Sequence, residues 1–206
     1  MTDTKENSTK MSEEPQLIMS LQALIIFSLY GILGIIFFAV LIHVKRQGRE
    51  LLGKPAMNVL IQAIGKFALF IPVLILPAAA YGKDWSWMQF PGWMSWMAVF
   101  ICFEAMLFLN LSLLQMGKFT KVGLPTNDRI ELQTGGVYRL SRNPMYFGLF
   151  LLAVASNLYV PNPFNLLAAI IGMVVHHQII KHEETYLEQQ FGGQWQAYKA
   201  KVRRYF

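Results

Sequence analysis

"LIMSLQALIIFSLYGILGIIFFAVLIH", residues 17–43, contains no Lys, Arg, Asp or Glu. It is longer than the roughly 20 helical residues that cross a bilayer core. Two further long apolar runs follow, from about Ala56 to Ala80 and from about Trp93 to Met116, each with a single ionisable residue, Lys66 and Glu104. Met145–Val160 and Phe164–Ile180 are shorter and are joined by the tight "VPNPF". These runs predict an all-α, polytopic helical membrane protein with about five transmembrane helices, the last two forming a helical hairpin. Composition agrees. The 206 residues are 54% hydrophobic and only 15% charged, with a mean hydropathy of +0.37, whereas soluble domains carry about 25% charged residues.

Charge placement orients the spans. Lys5, Lys10 and Lys83 fall on one side and Lys66 inside a span, leaving fourteen of the 18 Lys and Arg on the other side. The positive-inside rule then puts the N-terminus outside and the C-terminus in the cytoplasm. The net charge of +6 is mostly topology, and no separable basic face suggests a nucleic-acid partner. The polar start "MTDTKENSTKMSEEPQ" does not suit a signal peptide. Three parts are expected: a disordered extracytoplasmic tail (1–16), three spans (17–116), and a region with the hairpin and C-terminal cytoplasmic amphipathic helices (117–206). Cys102, in the third span, is the single cysteine, so no intramolecular disulfide can form.

Polar residues concentrate in two places. One is the loop Gly117–Asn143, long for a mere connection, which ends in "RLSRNPMYFG" against an uncharged segment. The other is "KHEETYLEQQFGGQWQAYKAKVRRYF" after the last span. A hairpin makes the start of one span and the end of the next neighbours, so "SRNPMY" and "KHEETY" should meet at one membrane surface. Pro144 suits the first turn of a helix and Asn143 its N-cap. A helix N-terminus beside Arg142 is also a prepared anion site. Glu183 and Glu184 offer carboxylates opposite, and a pocket of both signs suits a zwitterionic, partly apolar cofactor.

"GGVYRLSRNPMYFG" followed by "HEETYLEQQFGGQWQAY" resembles the superfamily of isoprenylcysteine carboxyl methyltransferases and phospholipid methyltransferases. Gly136 and Tyr138 match its first element, and Arg142, Pro144, Tyr146 and Gly148 its second. Glu183, Glu184, Leu187, Phe191, Gly192 and Tyr198 match the rest. The resemblance covers about the last 90 residues. It implies S-adenosylmethionine as cofactor, bound at the cytoplasmic face by Gly136, Tyr138, Arg142, Asn143, Pro144, Tyr146, Glu183 and Glu184. Arg142, Tyr146 and Glu184 would carry the catalysis. The implied partners are the lipid bilayer and an amphiphilic or hydrophobic methyl acceptor. Asn143 stands where the family usually has histidine, and Trp195 where it has the first tyrosine of its last element. Asparagine cannot take a proton near neutral pH, which tilts the reading towards a carboxylate acceptor or one deprotonated by another group. Two alternatives stay open: an NADPH-dependent membrane reductase of the sterol-reductase type, and a non-catalytic binding protein on the same fold.

Other residues need weighing. Lys66 and Glu104 are ionisable groups within spans, where a functional role is the default hypothesis. Mutual pairing, with Gln62 and Asn110 joining, is the plainer explanation. His176, His177 and His182 lack metal-ligand spacing, so no metal is expected. His176 and Glu183 share a helix face. Leu187, Phe191, Trp195, Tyr198 and Val202 form a stripe suited to amphipathic helices lying on the membrane. Trp85, Trp87, Trp93 and Trp96 suit an outer aromatic belt.

Overall fold

A computed structural model describes residues 3–46, 57–83, 85–116 and 132–206; side chains are described from Leu21 onward, Met116 excepted. The described residues are helical, with no strand among them: α1 (Asp3–Arg46), α2 (Val59–Ala80), α3 (Gly92–Met116), a 3-10 turn (Gly136–Arg139), α4 (Pro144–Tyr159), α5 (Pro163–Phe191) and α6 (Gly193–Lys201). The stretch 1–16, expected as a disordered tail, carries helix from Asp3 onward. Most of the long loop before the knot, residues 117–131, lies outside the described residues.

Four helices are long and apolar enough to cross a membrane: Leu21–Arg46, Val59–Ala80, Gly92–Gln115 and Pro163–Phe191. The expected fourth span is α4. Its 16 apolar residues extend only about 24 Å, short of a core of roughly 30 Å. The surface is inside-out in the sense lipid demands: Phe67 is 75% exposed, and Ile35, Phe38, Phe70, Leu74, Phe100 and Phe164 are exposed with it. So large an apolar surface would be a liability in water. α5 continues unbroken to Phe191, so the segment after Ile180 is not a separate amphipathic helix but the end of the same one.

Glycines decide which helices touch. The hairpin expected of α4 and α5 is present in the chain, yet α4 packs chiefly on α3, and α5 on α2. A Cβ on Gly148 would sit 2.9 Å from the Ala105 carbonyl oxygen of α3, and one on Gly172 would sit 2.9 Å from the Leu69 backbone of α2. Gly65 likewise abuts Val175. Small residues allow this close approach, which is how helices pack where no hydrophobic drive separates them from lipid. Ile26, Leu76, Cys102, Met106 and Leu152 fill the centre.

Polar backbone is also accounted for. Asn58 caps α2 through its Oδ1, which accepts from the N–H groups of Leu60 and Ile61. Pro77 lacks the N–H that would bond the Val73 carbonyl one turn back. The Tyr30 hydroxyl of α1 donates to that carbonyl instead, at 2.7 Å. At the far end of the bundle the Asn162 amide donates to the Trp85 carbonyl at 2.7 Å, beside the exposed Trp87 and Trp93.

Candidate active site

The site is built where α3 ends, α4 begins and α5 leaves the bundle. Gly136 turns the chain with φ +57, the left-handed region that glycine enters without strain, and its Cα is packed against the Gln115 side chain, leaving no room for a Cβ. The Gln115 Oε1 accepts from Val137 N–H at 2.9 Å. Tyr138 is buried, and its carbonyl accepts from the Tyr198 hydroxyl at 2.6 Å. Gly136 and Tyr138 thus fasten α3 and α6 to the knot, rather than presenting side chains to a cavity. Burial pushes the Tyr198 phenol up to about 12, so it stays a neutral donor.

Two carboxylates divide the work. Glu184 is 5% exposed. Its Oε2 accepts from Arg204 Nε at 3.1 Å and from the terminal Arg204 nitrogen at 2.8 Å. Its Oε1 accepts from the Asn143 amide at 2.9 Å and lies 3.4 Å from Arg142. The bonds to Glu184 raise Arg204 further above its ordinary value. Glu184 therefore has its oxygens filled by this chain. Glu183, its neighbour, takes one bond, from the Tyr146 hydroxyl at 2.9 Å. The Tyr146 ring stands 5.8 Å from that of His176. The His176 Nδ1–H donates to the Gly172 carbonyl at 2.7 Å.

Asn143 holds the N-cap position of α4, with Pro144 first in the helix, but its side chain makes no cap bond. Instead its amide nitrogen donates to Glu184 Oε1 and, at 3.3 Å, to the Arg204 carbonyl. Arg142 is drawn in as well. Its guanidinium lies 5.6 Å from the centre of the Trp195 ring, and its backbone N–H donates to the Arg203 carbonyl at 3.0 Å. Among the described residues, the buried donors Arg142 Nε and Trp195 Nε1 have no hydrogen-bond partner.

The sequence-predicted residues are thus brought together. "SRNPMY" and "KHEETY" do meet. The end of the second polar stretch, residues 203–206, none of them expected in the site, is a component of it. Arg204 clasps Glu184, the Tyr205 hydroxyl lies 2.6 Å from His177 Nδ1, and Phe206 stacks on Phe147. The aromatic pair at the chain's end was the available signal. Of the stripe, Trp195 and Tyr198 are buried against the knot. Lys66 and Glu104 do not pair with each other among the described residues. Gln62 Oε1 and Asn110 Oδ1 are buried with no hydrogen-bond partner among the described residues. No cluster of three or more His, Cys, Asp or Glu suited to a metal occurs among the described residues.

Comparison with known proteins gives the family. The sequence model of the family described as phospholipid methyltransferase matches residues 93–194, which spans α3, the knot, both helices of the hairpin and the start of α6. The chain belongs to the phospholipid and isoprenylcysteine carboxyl methyltransferase family. It is 36% identical over 76 residues to a probable protein-S-isoprenylcysteine O-methyltransferase of Oryza sativa, and 35% identical over 72 residues to the protein-S-isoprenylcysteine O-methyltransferase of Dictyostelium discoideum. These matches cover 36% and 34% of this chain, and 40% and 30% of those methyltransferases, well under two thirds of their length. An uncharacterized protein of Haemophilus influenzae is 44% identical over 62 residues, 30% of this chain and 98% of its own. No solved structure gives a significant match. Family membership implies a methyl donor, and the residues present fit a zwitterionic one. Arg142 Nε and Trp195 Nε1 are buried donors with no hydrogen-bond partner among the described residues, which suits a carboxylate, and Glu183 is a carboxylate suited to an ammonium or hydroxyl.

Proposed function

We propose that this protein transfers a methyl group from S-adenosylmethionine to an amphiphilic acceptor at the cytoplasmic face of its membrane. The cytoplasmic placement rests on the excess of cations in the loops at the site's end of the bundle. One observation carries the proposal: Tyr146 pairs with Glu183, while Arg142 of the same knot and Trp195 against it hold buried donors with no hydrogen-bond partner among the described residues. Bound S-adenosylmethionine supplies a methyl carbon activated by a neighbouring sulfonium.

Each residue then has a task. Arg142 Nε and Trp195 Nε1 hold the cofactor carboxylate, where an unmet donor would otherwise cost about 1–3 kcal/mol. Glu183 holds the ammonium or the ribose hydroxyls. Tyr146, oriented by its bond to Glu183, presents its ring to the positive charge. Gly136, Tyr138, Asn143, Pro144 and Glu184 form the wall that keeps these groups in place. Methyl transfer is an in-line displacement, so holding donor and acceptor in register supplies much of the acceleration. Asn143, with its amide donating to two acceptors, takes no proton.

Calorimetric titration of the detergent-purified protein with S-adenosylhomocysteine, alongside NADPH, tests this. Micromolar binding of the homocysteine, weakened at least tenfold by Glu183→Gln, is the expected outcome. Binding of NADPH and not of S-adenosylhomocysteine would replace the proposal with the reductase reading.

A further inference from the structure

His176 is a buried titratable side chain that takes no part in holding the cofactor. It lies within the membrane-spanning length of α5 and is 6% exposed, a setting in which an ionisable group is costly and a functional role is the default expectation. Its Nδ1 lies 2.7 Å from the Gly172 carbonyl. A carbonyl only accepts, so in the neutral ring the hydrogen sits on Nδ1 and Nε2 carries a bare lone pair. No hydrogen bond among the described residues occupies that second nitrogen. The Tyr146 ring of α4 stands 5.8 Å from the imidazole, centre to centre.

Position adds to this. Tyr146 bonds Glu183 through its hydroxyl, at 2.9 Å, and meets His176 with its ring. Glu183 is seven residues further along α5, about 10 Å nearer the site's end of the bundle. His176 thus lies on the membrane side of Tyr146, the side from which a lipid-borne acceptor arrives. The contacts Gly172–Leu69 and Val175–Gly65 seat this part of α5 on α2. The titratable groups at this level are Glu183 and His177 of the same helix and Tyr146 of α4; α2 brings Lys66 there, since its neighbour Gly65 abuts Val175. The other candidate bases are engaged: Glu184 by Arg142, Arg204 and Asn143, and Glu183 by Tyr146. Asn143 takes no proton.

We propose that His176 is the proton acceptor of the reaction, and that the methyl acceptor's nucleophilic atom reaches the site carrying a hydrogen, as a thiol, a phenol or an amine does. This rests on the methyltransferase reading and deepens it. The acceptor keeps the electron pair of its bond to hydrogen and uses it to bond the methyl carbon. The methyl–sulfur bond breaks with its pair left on sulfur, and the proton goes to Nε2. Water takes that proton once the product has left.

The test uses dodecanethiol, 4-dodecylphenol, dodecylamine and laurate as probes on the detergent-purified wild type, His176→Gln and His176→Asn. Calorimetry with S-adenosylhomocysteine should give both variants the wild-type affinity. A second readout needs no turnover. Diethylpyrocarbonate acylates bare imidazole nitrogens, so peptide mass should show His176 modified, and modified at least tenfold more slowly when S-adenosylhomocysteine and a hydrogen-bearing probe are both present. With S-adenosylmethionine, the wild type should methylate at least one of the thiol, phenol and amine, with kcat falling on acidification as Nε2 is protonated. The variants should lose about 100-fold or more in kcat, keep KM and lose the acid limb. The fastest of the three probes identifies the class of nucleophile. Methylation of none of the three, or transfer that survives in the variants, overturns the proposal. So does a His176 left unmodified while the exposed His182 reacts, or one modified equally fast with ligands present. Loss of S-adenosylhomocysteine binding in both variants alone overturns it too, by making His176 part of the cofactor site or its support. Failure of S-adenosylhomocysteine to bind the wild type counts against the methyltransferase reading itself.

Discussion

Glu184→Ala separates a wall residue from a ligand residue. The side chains of Glu184 and Arg142 are each 7% exposed, so truncating the glutamate leaves a buried guanidinium without its counter-ion. Breaking a buried pair from one side costs about 3–5 kcal/mol, a large share of a native stability of about 5–15 kcal/mol. Arg204 is partly exposed, at 31%, and its loss leaves Glu184 with Arg142 and Asn143. Arg204→Ala should therefore cost less, about 1.5–3 kcal/mol for its charge-assisted bonds. Once Glu184 is gone, Arg204 has little left to lose, so the double variant should fall short of additivity by about 0.5–3 kcal/mol.

Equilibrium unfolding in a mild detergent gives the stabilities, and calorimetry with S-adenosylhomocysteine gives the affinities. Both variants should lose stability and binding together, since the tail they release carries the wall around Arg142. Glu183→Gln should lose binding while keeping its unfolding midpoint. A Glu184→Ala protein that unfolds like the wild type but no longer binds would refute this division of labour and make Glu184 a direct ligand.

Gly172→Ala should cost about 1–3 kcal/mol by overpacking against Leu69, whereas Gly31→Ala, with nothing within 4 Å, should leave the midpoint unchanged. Tyr30→Phe strands the carbonyl exposed by Pro77 and should cost about 1 kcal/mol, a penalty that should shrink in a Pro77→Ala background where an N–H returns. Tyr198 has its folded value raised from 10.0 to about 12 by burial. Its neutral form thus favours the fold below pH 10.0, and that contribution is lost as pH rises through about 12. Alkaline unfolding curves should show a shallower loss in Tyr198→Phe.

The spans were legible because length and absence of charge are a direct code for a bilayer, and the meeting of the two polar stretches followed from the hairpin's connectivity. Partner choice among helices was not legible. Nothing in the apolar runs says that Gly148 seats α4 on α3, or that Gly65 and Gly172 seat α5 on α2, because a glycine's role depends on what lies opposite. The split between Glu183 and Glu184 was hidden for a related reason. Adjacent helical residues point about a quarter-turn apart, so the two carboxylates meet different parts of the knot, Glu183 at Tyr146 and Glu184 at Asn143 and Arg142, and only the position of Arg204 decides which one is filled. That arginine carried no signal beyond its charge, and topology already explained the charge.

Asn143 shows how a departure from a family pattern can be read physically once its neighbours are known. Taken as a substitute for a histidine base, asparagine looks like a loss. In place, its side chain meets two acceptors at once, Glu184 Oε1 and the Arg204 carbonyl. An amide group offers two N–H bonds from a single nitrogen, whereas a neutral imidazole offers one donor. The substitution thus joins α4, α5 and the C-terminal tail with one side chain. Its contribution is to hold three segments in one place, not to carry a proton.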